Sequence, residues 1–95
     1  MPSFRVVMTI GALRPGVAPQ RILPLAADAA RELTIVEASD LAVVAGEARI
    51  TVRFEAEDAE LAVQIGEHVA DVTSRSAQVL AARITERVRG TWVPR

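Results

Sequence analysis

AQVLAARITERVRGTWVPR, residues 77–95, is the stretch on which the fold turns. With helical spacing, Ala77, Leu80, Ala81, Ile84 and Val88 form a stripe that Gly90 would end. With a period of two, Leu80, Ala82, Ile84, Val88 and Trp92 face one way, interrupted by Glu86 and Gly90, while Arg83, Thr85, Arg87 and Arg89 face the other. β-Branched residues recur to the end of the segment, which favours the strand.

Within it, ARITER at residues 82–87 nearly repeats ARITVR at residues 48–53. The earlier copy lies in LAVVAGEARITVRFEA, residues 41–56, where two alternating runs flank Gly46-Glu47. That pair reads as a two-residue turn of type II′, which takes glycine first. The turn places Ala45 opposite Ala48, Val43 opposite Ile50 and Leu41 opposite Val52, so the apolar sides coincide. Arg49, Thr51 and Arg53 then share the other side with Ala42 and Val44.

Between the two copies, Asp58 opens a helix to about Thr73, with Glu60 in its first turn and Leu61, Ile65, Val69 and Val72 as the inward stripe. Nearer the N-terminus, FRVVMTI (residues 4–10) sets Phe4, Val6, Met8 and Ile10 against Arg5, Val7 and Thr9, as a half-buried strand does. LRPGVAPQ (residues 13–20) reads as a loop from its Pro and Gly content. A helix follows from about Arg21 to Leu33 on the stripe Ile22, Ala26, Ala29, Ala30 and Leu33, with Pro24 in the first turn.

The element order is therefore βαββαβ over residues 1–95, read as one domain. This order resembles the ferredoxin-like fold, an α+β sandwich with a four-stranded antiparallel sheet and two helices on one face. The resemblance implies that the first, third and fourth strands are neighbours. Arg5 and Thr9, then Arg49, Thr51 and Arg53, then Arg83, Thr85 and Arg87 would converge on the face without helices. No iron–sulfur cluster is implied, because the chain has no cysteine.

Composition narrows the function. Ninety-five residues suit one core, and with 51% hydrophobic residues but two Phe, one Trp and no Tyr, that core is aliphatic. A formal charge of −1 gives no global attraction for nucleic acid. The absence of cysteine removes disulfides, thiolate nucleophiles and sulfur-ligated metals. Every basic residue except His68 is arginine, as a GC-rich genome would give. The N-terminal stretch lacks a secretion-signal pattern and no segment has the length of a membrane span, so a soluble cytoplasmic protein is expected.

Clustered guanidiniums repel one another unless an anion lies between them, and each offers a donor fork suited to carboxylate or phosphate. Arginine and threonine are also ordinary occupants of a solvated strand face, where Glu47, Glu55 and Glu86 are available partners. Nucleic acid is disfavoured as the partner, because this face has no stacking aromatics in the sequence reading. Val7, Ala42, Val44 and Val79 among the arginines point to self-association, a dimer being the simplest closed form.

His68 is the one imidazole, on the edge of the second helix with Asp71 one turn on. One histidine among scattered acids gives no metal-ligand spacing, and Gly11 and Gly16 are too isolated for a phosphate loop. No cofactor is implied. Two function classes result: a non-enzymatic binding or assembly module that self-associates and holds an anionic ligand or partner on its arginine-rich face, and a compact oligomeric enzyme that encloses a small molecule between sheet faces, with His68 or the arginines polarising it.

Overall fold

The computed structural model describes residues 1–95. Its elements are β1 (Ser3–Leu13), α1 (Ile22–Arg31), β2 (Val36–Val44), β3 (Glu47–Glu55), α2 (Ala59–Ser74), β4 (Ala77–Val88) and β5 (Thr91–Pro94), with a 3-10 turn at Pro19–Arg21 leading into α1. The strands form one antiparallel sheet in the order β2-β3-β1-β4-β5.

The closing segment is extended, but it is two strands. Arg89 and Gly90 have φ of 51° and 79°, the left-handed pair of a tight hairpin turn, and Thr91–Pro94 folds back along β4. The sheet thus has five strands where four were expected. Trp92 lies opposite Arg87 and on its side of the sheet, not inward. Arg89 belongs to the turn instead of the outward row.

The β2–β3 hairpin uses the same device. Ala45 and Gly46, with φ of 53° and 80°, make the turn, one residue earlier than the Gly46-Glu47 reading. Val44 therefore faces Glu47, Val43 faces Ala48 and Leu41 faces Ile50. Partners move by two, which leaves each residue on its expected face.

The core lies between the sheet and the two helices. Phe4, Val6, Met8 and Ile10 of β1 and Ile50, Val52 and Phe54 of β3 are buried, and the rings of the opposed pair Phe4 and Phe54 lie 6.2 Å apart. α1 contributes Ile22, Ala26, Ala29 and Ala30, and α2 contributes Ala62, Ile65 and Val69. Asp58 caps α2, its Oδ1 accepting the Leu61 N–H at 2.8 Å. Leu33 and Leu61, expected in the inward stripes, are exposed. α1 ends before Leu33 is reached, and α2 is turned so that the small residues Ala62 and Gly66 meet the sheet.

In β4 the pairing with β1 slips, Thr9 facing Ala81 and Ile10 facing Val79. Leu80 is the extra residue of this bulge and is pushed outward, where it is half exposed beside Gly11. Val79 packs against the core instead. Both placements reverse the period-two reading, because one inserted residue exchanges the faces on either side of it. No helix is long and apolar enough to cross a membrane.

Candidate functional site: the helix-free sheet face

Strand register assembles the site. Arg5 faces Arg53 on one side and Thr85 on the other; in the next row Val7 lies between Thr51 and Arg83; then Thr9 pairs with Arg49. Arg87 faces Trp92 across the last hairpin. All eight residues singled out from sequence (Arg5, Thr9, Arg49, Thr51, Arg53, Arg83, Thr85 and Arg87) therefore share the helix-free face: seven sit one position away from a buried residue on their own strand, and Arg87 follows Arg83 and Thr85 at a spacing of two.

Trp92 organises the centre of this face. The Arg5 guanidinium carbon stands 3.8 Å from the centroid of the Trp92 ring, and that of Arg53 stands 5.4 Å away. Both are within reach of a cation–π attraction, and Arg5 is stacked on the ring. Burial, followed by the charges of Arg53 and Arg87, lowers the Arg5 pKa from its ordinary value. Three cations thus crowd around one indole, and Arg5 bears the electrostatic strain of that crowding.

Neutralisation is uneven. Arg53 donates to Glu37 at 2.7 Å, and the same carboxylate accepts from the Ser3 hydroxyl at 2.8 Å. Burial pushes the Glu37 carboxyl up, but the hydrogen bonds from Ser3 and Arg53 and the Arg53 charge outweigh it, and its pKa lies below the ordinary 4.5. Arg5, Arg49, Arg83 and Arg87 have no carboxylate partner. Glu86, one of the expected partners, lies on the opposite side of β4 and pairs with Arg95 at 2.8 Å. The face is consequently sorted by sign: Glu37 and Asp40 of β2 stand at one edge, and Arg5, Arg83 and Arg87 stand toward the other.

Between these halves, Arg5, Ala38, Ser39, Asp40, Thr51 and Arg53 line a depression of about 300 Å³. Thr85 Oγ1, beside Arg5 in the register, is buried without a hydrogen-bond partner. An oxygen-rich anion laid near Arg5, Arg83 and Arg87 would find donors from several side chains and relieve their mutual repulsion.

A second concavity, of about 570 Å³, opens on the helix side at the end of the β2–β3 hairpin. Ile10, Leu13, Ile22, Leu23, Leu41 and Ile50 line it, with no ionisable group among its walls. It exists because the ten-residue α1 is too short to cover the hairpin tip. The loop after β1 forms part of its rim through Pro19 and Gln20.

His68 is on the helix layer, on the other side of the sheet from the arginines. Its Nε2 is 3.3 Å from Glu32 Oε1, whereas Asp71, the expected neighbour, pairs with Arg75. No three His, Cys, Asp or Glu side chains converge on a possible metal position.

The residues missed from sequence are Trp92 and Glu37. Arg89-Gly90, followed by the alternating Thr91-Trp92-Val93, carried a hairpin signal that would have moved Trp92 to the open face. Glu37 reaches that face because the β2–β3 pairing slips between Val36 and Ala38, an irregularity with no marker in the local sequence. No protein-family model, curated protein or solved structure matches this chain.

Proposed function

We propose that the protein is a non-enzymatic, self-associating binding module that holds an anionic ligand or an acidic partner on its open sheet face. Its βαββαβ order up to Val88 supports a ferredoxin-like unit, extended by β5. The observation that carries the binding reading is the stacking of Arg5 on Trp92 with Arg87 opposite that ring and Arg83 farther along β4, none of these three arginines being neutralised within the chain. Trp92 fixes Arg5 in place, which lowers the entropy lost when an anion binds.

The enzyme reading needs His68 or an arginine beside a substrate. His68 and the arginines occupy opposite sides of the sheet, so within one subunit they serve different surfaces. The binding reading is preferred because the unneutralised arginines support it without any reacting group beside them.

Arg83→Glu with Arg87→Glu tests the proposal. Inorganic phosphate, polyphosphate, citrate and a short RNA are added in turn, and thermal unfolding is followed. At least one anion is expected to raise the melting temperature of the wild type, less so as salt rises, and to leave the double variant unmoved. Equal response of the two proteins, or none in either, would sink the reading.

A further inference from the structure

The sheet has two edges, and they are built differently. β5 is four residues long, ends at Pro94, and is followed by Arg95, which folds back to Glu86. These features blunt an edge against pairing. β2 is nine residues long and contains no proline, lysine or arginine. Over residues 38–44 its one charge is Asp40, and every residue there is exposed. Leu41 is 47% exposed and Val43 71%.

The hairpin turn determines which backbone groups of β2 are free. In a two-residue hairpin the flanking pair, here Val44 and Glu47, exchanges hydrogen bonds, and the pattern alternates from there. Val44, Ala42 and Asp40 direct N–H and C=O toward β3, while Val43, Leu41 and Ser39 direct theirs outward. The free backbone groups therefore belong to the same residues whose side chains lie on the helix side. Leu41 and Val43 each present an unmet donor, an unmet acceptor and an exposed apolar side chain.

Resting on the reading that the chain self-associates, we propose that β2 pairs antiparallel with β2 of a second copy, about a two-fold axis near Leu41–Val43. A second copy is the occupant because the edge is self-complementary. An antiparallel strand satisfies the outward groups of Leu41 and Val43 with the same groups of its mate. With the axis at residue 41, 42 or 43, the two Asp40 side chains are not directly opposed. The apolar concavity supplies the second reason. Leu41 is one of its walls and the hairpin tip is bare, so Leu41 and Val43 of the second copy would cover ground that α1 leaves open. Both sheets would join into one, with the two arginine-rich faces on the same surface and free to bind.

Single-cysteine variants test the geometry, since the chain has no cysteine of its own. Leu41→Cys, Ala42→Cys and Val43→Cys, with Thr91→Cys on β5 as control, are oxidised at micromolar concentration. Covalent dimer is expected in at least one of the three and not in the control. In sedimentation, Leu41→Arg with Val43→Arg is expected to weaken the dimer at least a hundredfold, with an unchanged circular dichroism spectrum. A wild type that is monomeric throughout the micromolar range overturns both self-association and the edge pairing. A wild-type dimer that survives the double arginine variant and gives no cross-link overturns the edge pairing alone. Dimerisation only in the presence of an added extended peptide also overturns it, in favour of a different occupant.

Discussion

Glu37 is the one carboxylate that answers an arginine on the open face. Its folded pKa is depressed, so the stability it contributes is fully present above its ordinary value of 4.5 and is lost as pH falls through the lower folded value. Glu37→Gln should therefore cost about 0.5–1 kcal/mol at neutral pH, a modest figure because the pair is partly solvated. The difference from wild type should shrink as the pH drops below 4.5, and chemical denaturation at several pH values would show it. A penalty that stayed constant down to the acid limit would assign the loss to packing. At this scale the sequence was readable wherever residue identity and strand parity agreed, as at Arg5, Arg49 and Arg53. It was unreadable at Glu37 and Leu80, because a single inserted residue reverses parity and leaves no compositional trace.

α2 and β4 illustrate packing at the level of elements. Gly66 sits within α2, where glycine is unfavourable by about 1 kcal/mol relative to alanine. It is buried, and a Cβ there would run into Ile84 Cδ1 and lie 3.1 Å from Ile84 Cγ1. Close approach of the helix to β4 thus outweighs helix propensity. Gly66→Ala should destabilise by about 1–3 kcal/mol through overpacking, read as a lower denaturation midpoint with unchanged slope. Pairing it with Ile84→Val should recover part of that loss, since the variant removes the obstructing methyl. The helices and the β2–β3 hairpin were legible from periodicity and from Asp58, although that hairpin turns one residue earlier than its glycine suggested. Their lateral rotation was not, because Leu61 looks like a core residue until Gly66 and Ala62 are seen to set the contact. The fifth strand escaped notice for a related reason: Trp92 continues the alternation of β4 across Gly90, so the turn hides inside an apparently unbroken pattern.

For the molecule as a whole, the two hairpin turns divide labour between the sheet's edges. Ala45-Gly46 leaves β2 long and bare, whereas Arg89-Gly90 returns a short strand that carries Trp92 to the arginines and closes the far edge with Pro94. The proposed assembly and the proposed ligand capture would thereby use separate surfaces, and the variants that abolish one should spare the other. Anion-dependent stabilisation should persist in Leu41→Arg with Val43→Arg, measured on the monomer. Near-neutral total charge concealed this arrangement, because the separation of signs arises only when β2 and β4 are placed on opposite sides of β1.

The position of β1 also governs how the chain reaches this state. β1, synthesised before the other four strands of the sheet, ends up at its middle, bonded to β3 on one side and β4 on the other. Closing those long loops precedes most of the reward, which places folding in the slower range, about milliseconds to seconds, that is typical of non-local β pairing. Until Ala77–Val88 has left the ribosome, β1 has one naked edge and Ile84 is missing from the core. A nascent chain halted at Ser76 should therefore remain open to protease. Val6→Ala, at the crossing of both ladders, should slow refolding, whereas Trp92→Ala should act chiefly by hastening unfolding.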